Sequence, residues 1–322
     1  MTLPGLSQDD LIHAPWNDPA FGYVIALIVA LLAISAIALA IVTRRGRGGA
    51  PPRTLWARWL TWSMLAPLFA VIVFSGLVPV AILMALFALQ GSREWGTLLD
   101  LPPAHRGILA GYCLLVVVLA MFGAAALLAT IPLLLLAAML QPVLGADTSR
   151  GMRDLAFGAL GFAYLPLLLS FGVLMVRDLP NGAALLFVTG AAASASDIGA
   201  YIVGKSFGRH KLAPHLSPNK TVEGLLGNLA GALLAVVILL PTMPGVGPVG
   251  VVVLTVVITV GAVFGDLFTS AFKREVGVKD AGSLLPGFGG LLDRVDSFIV
   301  AVPLVYYAAG IASLLDIPLA AS

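Results

Sequence analysis

Cysteine is almost absent from this chain of 322 residues. The one example, Cys113, sits inside an apolar run, which excludes an intramolecular disulfide and reads as a buried core thiol. Charge is scarce as well. Asp, Glu, Lys and Arg make up only 11% of the residues, and the net charge is +2. No basic patch with interleaved aromatics exists, which argues against nucleic acid as a partner. The four histidines and single cysteine make no cluster that would suggest zinc. No segment repeats at a period of about 20 to 50 residues, and no inverted repeat of the transporter kind is visible. A soluble domain is also missing, since the longest loops hold about 20 residues.

What the chain has is apolar length. Hydrophobic residues make up 60% of it and the mean hydropathy is +1.03, with repeated uncharged runs of about 20 residues, the length that spans a bilayer. Only helices or closed barrels satisfy every backbone group in lipid. The runs are rich in Leu, Ala and Val without period-2 alternation, so the expected class is all-α, a polytopic membrane protein. Ten spans are expected, near 21–42, 56–75, 76–91, 107–122, 124–140, 154–175, 183–203, 222–241, 249–271 and 296–315. Two long apolar blocks are split to reach ten, one at Gly76 and Pro79, the other at Gly123. The first span reads as a retained helix, because Met1 to Ala20 holds no Lys or Arg and its positive charges follow the run.

The positive-inside rule tests this layout. With the N-terminus outside, 17 of the 18 basic residues fall on the cytoplasmic side and Arg177 alone falls outside. Removing either split would flip every later loop and destroy the bias. The expected location is the inner (cytoplasmic) membrane, multi-pass. Three regions follow: 1–55, an extension with the first helix and the basic linker RRGRGGAPPR; 56–180, a helical membrane region; and 181–322, a catalytic membrane region.

Polar residues that topology does not require gather in three cytoplasmic elements. The first ends the seventh span, where Asp197, Tyr201 and Lys205 are spaced to share a helix face. Asp197 lies within the apolar run, and an ionisable group there costs at least about 2.5 kcal/mol unless paired or facing a polar cavity. Gly199 to Ser206, GAYIVGKS, fits a P-loop letter for letter but lies in or at the end of a membrane-length helix, with no strand before it, so it is rejected as one. The second element is LSPNKTVEG, Leu216 to Gly224. Thr221 can cap the next helix, with Glu223 in its first turn. Ser217, Asn219, Lys220 and Thr221 also make a compact donor set suited to phosphate.

The third element, Asp266 to Asp296, packs nine charged residues into 31 and carries PGFGG at Pro286 to Gly290. Asp266 is flanked by Val263, Phe264, Leu267 and Phe268 inside a spanning segment, and a bound divalent cation would explain it. Ser270, Lys273 and Arg274 share its face, and Asp293, Arg294 and Asp296 open the last helix. Carboxylates for Mg²⁺, several basic side chains and a glycine-rich loop suit phosphate-transfer chemistry on a membrane-embedded substrate.

Ser270 to Asp296 resembles the pattern of the phosphatidate cytidylyltransferases, S-x-x-K-R, four residues, K-D, then P-G-H-G-G-x-x-D-R-x-D. Ser270, Lys273, Arg274, Lys279, Asp280, Pro286, Gly287, Gly289, Gly290, Asp293, Arg294 and Asp296 match it. SPNKTVEG, Gly265-Asp266 and, more weakly, Arg93-Glu94-Trp95 are also similar to family features. The resemblance covers about 195 to 300 well. Phe288 departs from it, standing where the family has His, and removes any contact that a titratable ring would make.

The resemblance implies transfer of a cytidylyl group from CTP to phosphatidate, giving CDP-diacylglycerol and pyrophosphate. It implies Mg²⁺ held by Asp266 and Asp293. It also implies catalytic roles for Asp266, Lys273, Arg274, Asp280, Asp293 and Arg294, and substrate contacts at Asp197, Ser217, Asn219, Lys220, Thr221, Lys279, Gly289 and Gly290. The partners expected are CTP, phosphatidate, the bilayer and, at the level of assembly, a second copy in a homodimer. Two other readings stand beside it. One is a CTP-dependent enzyme with a different membrane lipid phosphate, motivated by Phe288. The other is an ion-coupled transporter using Asp197 and Asp266, against which the nearly bare outer loops, such as PTMPGVGP at Pro241 to Pro248, count.

Overall fold

A computed structural model describes residues 3, 5–45, 51–136, 151–278, 281–282, 289–315 and 317. Ten helices carry the architecture: α1 (Pro19–Arg44), α2 (Pro52–Val73), α3 (Leu77–Leu98), α4 (Pro103–Ala120), α5 (Ala124–Leu136), α6 (Ala156–Asp178), α7 (Gly182–Phe207), α8 (Val222–Leu239), α9 (Pro248–Glu275) and α10 (Leu292–Leu314). Eight are long and apolar enough to cross a membrane, whereas α4 and α5 are shorter apolar helices. The fold is all-α and multi-pass, with each apolar run paying no unpaired backbone because its hydrogen bonds close within the helix.

Both expected splits are real breaks. Gly76 separates α2 from α3 with φ +100°, and Gly123 separates α4 from α5 with φ +110°, backbone that a side chain would strain. The Gly123 turn is held from outside its own helices: the Arg177 guanidinium packs on it, and Arg177 Nε donates to the Met121 carbonyl at 3.0 Å. Asp178, beside it, accepts from the Tyr306 hydroxyl at 2.9 Å.

Helix α6 is continuous through a π-helical segment, Ala163–Leu167, that contains Pro166. Proline offers no N–H to an α-helical ladder, and a π turn absorbs the mismatch. The result for the site is that Tyr164 is buried and its hydroxyl meets Thr269 on α9 at 3.0 Å.

Helix α1 is peripheral. Of its residues only Val24 and Ile28 are buried, while Val29, Leu31, Ile34, Ile37 and Ile41 are exposed as lipid-facing side chains would be. It is pinned by Tyr23, whose hydroxyl donates to the Ile238 carbonyl at 2.7 Å, and by Trp59, whose indole N–H donates to Ser35 Oγ at 3.1 Å.

Two seams of small residues bring helices close. On α7 and α8, a side chain at Gly199 or Gly227 would strike the other helix's backbone. On α9 and α10, one at Gly265 would strike the backbone of Asp296. Such seams are how membrane helices gain van der Waals contact without a hydrophobic driving force. GAYIVGKS lies within α7 as uninterrupted helix, which agrees with rejecting it as a P-loop. One feature was not expected: β1 (Lys211–Ala213) and β2 (Ser217–Thr221) pair antiparallel between α7 and α8, where the sequence reads as loop.

Candidate active site

Two lysine–aspartate pairs organise the site. Lys220, on β2, reaches Asp266 on α9, with Nζ 2.6 Å from Oδ2. Lys273, nearly two turns further along α9, reaches Asp293 at the start of α10, with Nζ 2.6 Å from Oδ1. Seven residues of helix rise about 10 Å, so the pairs sit on successive levels of one helix face. Ser270 lies between them and donates to Asp266 Oδ1 at 3.4 Å. Arg274 turns to the hairpin, donating from Nε to the Leu216 carbonyl at 3.3 Å.

Asp293 is the more completely held carboxylate. Besides Lys273 at Oδ1, its Oδ2 accepts the backbone N–H groups of Ala281 at 2.8 Å and Gly290 at 3.1 Å. Its side chain is 8% exposed, against 34% for Asp266. A charge so nearly removed from water needs these partners.

Two further carboxylates share this field. Asp197 on α7 accepts from Ser297 Oγ at 3.0 Å, and buried Asp296 on α10 accepts from the Ser297 N–H at 2.8 Å. The negative charge of Asp266 acts on both of them; Lys220 and Arg294 attract Asp197, and Lys273 attracts Asp296. Helices α7, α9 and α10 thus bring carboxylates together with basic side chains from three separate stretches. Gly265 lets this happen, since α10 passes against it immediately beside Asp266.

The oxygen donors suit a hard cation. Among the described residues no group of three or more His, Cys, Asp or Glu could hold a metal ion alone. Mg²⁺ does not need such a cage, because it keeps water and uses one or two carboxylates together with substrate phosphates. Asp266 fits that description, being half-buried and beside other carboxylates. Asp293 fits only if Lys273 yields its place.

The expected residues divide accordingly. Asp197, Lys220, Asp266, Lys273, Asp293 and Arg294 are brought together. Thr221 caps α8, accepting from the Gly224 N–H at 3.1 Å, and Asn219 is exposed. Ser217 lies on β2 at the pairing with Ala213. Glu223 turns from the helix start to accept from the Arg209 and His210 N–H groups. Lys205 stays exposed, its Nζ 3.3 Å from the Tyr201 hydroxyl. Gly289 has φ +82°, and the Gly290 amide is engaged by Asp293. Lys279, Asp280, Pro286, Gly287 and Phe288 lie outside the described residues.

Three contributors were missed as site residues. Ser297 holds Asp197, and Tyr164 is within reach of the charges of Asp266 and Asp296. The third is Glu94 on α3, 7% exposed, whose Oε1 and Oε2 accept the Leu291 and Leu292 N–H groups, each at 2.9 Å. A signal for Glu94 existed, because a carboxylate ends an apolar helix there beside Trp95. Trp95 itself is fully buried and stacks on Phe272 of α9, ring centroids 3.8 Å apart.

Comparison with known proteins finds relatives that match part of this chain. A protein of Escherichia coli (strain K12) named YnbB is 39% identical over 135 residues, 42% of this chain and 45% of that protein. A phosphatidate cytidylyltransferase of Mycobacterium leprae is 38% identical over 159 residues, 49% of this chain and 51% of the relative. One from Bacillus subtilis is 42% identical over 134 residues, 41% and 50% of the two chains. The chain therefore spans about half the length of the curated relatives it matches. The family model described as cytidylyltransferase extends further, over residues 56–312, and so takes in α3 with Glu94 as well as the paired lysines and aspartates of α9 and α10. On that match, the chain belongs to the cytidylyltransferase family.

Proposed function

We propose that the chain transfers a cytidylyl group from CTP to phosphatidate in the inner membrane, releasing CDP-diacylglycerol and pyrophosphate. The observation that supports this best is the pairing of Lys220 with Asp266 and Lys273 with Asp293 on one face of α9. Relatives named phosphatidate cytidylyltransferase add to it.

In the proposed reaction an oxygen of the lipid phosphate attacks the α-phosphorus of CTP. A new phosphoanhydride bond forms there, and the bond to the β-phosphate breaks, with pyrophosphate leaving. The nucleophile is already an anion, so no strong general base is required. What the protein has to overcome is repulsion between two polyanions and the charge on the leaving group. Lys220, Lys273 and Arg294 supply positive charge for the phosphates; a carboxylate holds each of the two lysines in place, and the charge of Arg294 acts on Asp197. Lys220 and Lys273, on turning toward phosphate oxygens, would free the carboxylates of Asp266 and Asp293. Mg²⁺, held by Asp266 and Asp293 when bound, would neutralise triphosphate charge and favour pyrophosphate as a leaving group. The lipid's acyl chains stay among the exposed apolar side chains of the bundle.

The test is purified protein in detergent with labelled CTP, phosphatidate and Mg²⁺. Labelled CDP-diacylglycerol is expected. No labelled liponucleotide from any phosphatidate species would overturn the proposal.

A further inference from the structure

Glu94 belongs to the third helix, yet both of its carboxylate oxygens are spent on the backbone that opens the tenth. Oε1 accepts the Leu291 N–H and Oε2 the Leu292 N–H, each at 2.9 Å. Gln90, one turn earlier, donates to Oε1 at 3.0 Å and steadies the carboxylate. Gly282 and Gly290 lie directly against it; a methyl group at Gly282 would meet Glu94 Cδ and Oε1 at 3.2 Å. The lack of a side chain at both positions makes room for the carboxylate, which accounts for Gly290 of the motif, and for Gly282 outside it, without any substrate. The neighbouring amides of Ala281 and Gly290 go to Asp293. Two buried acids thus divide four amides between them, and these amides flank the glycine-rich stretch on both sides.

We propose that Glu94 is a positioning residue for the transfer reaction, fixing the start of α10 so that Asp293 stands opposite Lys273. The connection is short. Glu94 holds Leu291 and Leu292, Asp293 follows them directly, and its Oδ1 meets Lys273 Nζ at 2.6 Å. A further consequence is that the Leu291 and Leu292 amides, although they open a helix, are not donors to phosphate. Anion binding falls instead to the side chains of Lys220, Lys273 and Arg294. The role rests on the reading of Asp293 and Lys273 as reaction-site residues given above.

Glu94→Gln is the informative substitution. Gln has the same shape, but it presents one acceptor and one NH₂ donor to two N–H groups, so one amide loses its partner. Loss of about 1 Å of precision in a site lowers turnover about 10²-fold. Glu94→Gln is therefore expected to lower kcat at least about tenfold with the KM for CTP changed less than about threefold. Glu94→Asp, which keeps both acceptors, should recover part of the loss. If Glu94 served packing alone, Gln would be as good as Glu.

Hydrogen exchange reads the same contact without turnover. In Glu94→Gln the amides of Leu291 and Leu292 should exchange at least about tenfold faster, while those of α7 and α8 stay protected. Unchanged exchange would overturn the proposal, and so would faster exchange with unchanged kcat. If Glu94→Gln fails to fold, Gly282→Ala displaces the carboxylate while keeping it, and should speed the same amides; no effect there overturns the proposal too. A wild-type protein that makes no CDP-diacylglycerol would instead defeat the functional reading, before any substitution is compared.

Discussion

Asp293 has no spare oxygen, and that makes its substitution sharper than an ordinary loss of charge. Asn at this position keeps one acceptor and turns an NH₂ toward donors, while Lys273, 15% exposed, loses its counter-charge. Asp293→Asn is expected to lower turnover at least about 10³-fold while the protein remains folded, as judged by its melting transition in detergent. Asp266→Asn should abolish turnover as well, for a different reason: it removes the half-buried carboxylate best suited to Mg²⁺, and Lys220 then loses its partner. Substantial residual activity in either variant would remove that residue's metal role. Phe288→His asks a separate question, whether a ring that can bond and titrate changes the rate or the choice of acceptor lipid. An unchanged rate and preference would show that the histidine is dispensable in this chain. At this scale the sequence was legible wherever a residue type was out of keeping with its surroundings, as Asp197 and Asp266 are. Ser297 and Tyr164 gave no such sign, since a serine or tyrosine in a membrane helix is ordinary until its neighbour is known.

Among the elements, the splits at Gly76 and Gly123 could be read in advance because charge bias at the loops depends on them, and positive φ at both glycines agrees. The β1–β2 hairpin could not. Its strands are short, Pro214 stands in the turn and Pro218 in the second strand, and neither strand shows an alternation of apolar and polar residues. Its second strand is tied to α9 through Lys220 to Asp266, and the turn before that strand through Arg274 to the Leu216 carbonyl. The seams between helices make a prediction of their own. Gly227→Ala forces α7 and α8 apart and Gly265→Ala forces α9 from α10, each overpacking costing about 1–3 kcal/mol. Both should lower the melting temperature. Only Gly265→Ala, which moves Asp296 beside Asp266, should also depress activity beyond what the stability loss explains; equal effects on activity would argue against a positional role for that seam.

For the whole molecule, a simple measurement tests orientation. The basic residues imply that the β1–β2 hairpin faces the cytoplasm and that the turn after α8, around Pro244, faces outward. Cysteine introduced at Ser217 should resist a membrane-impermeant thiol reagent in intact cells, whereas one at Pro244 should be labelled. Cys113 is buried and serves as a silent background. Labelling in the reverse sense would invert the layout and place the site on the wrong side for cytoplasmic CTP.

The hydrogen bonds from Leu291 and Leu292 to Glu94 join positions 197 and 198 apart in the chain. Membrane proteins enter the bilayer as they are synthesised, beginning from the N-terminus, so Glu94 is in place long before its partners exist. Until α10 arrives, its carboxylate lacks those two donors, an expensive state in apolar surroundings unless water still reaches it. The arrival of α10 therefore does two things in one step, sealing an early-made polar gap and setting Asp293 beside Lys273. A nascent chain truncated before Leu291 would carry Glu94 without those donors and Lys273 without Asp293, and is expected to be inert.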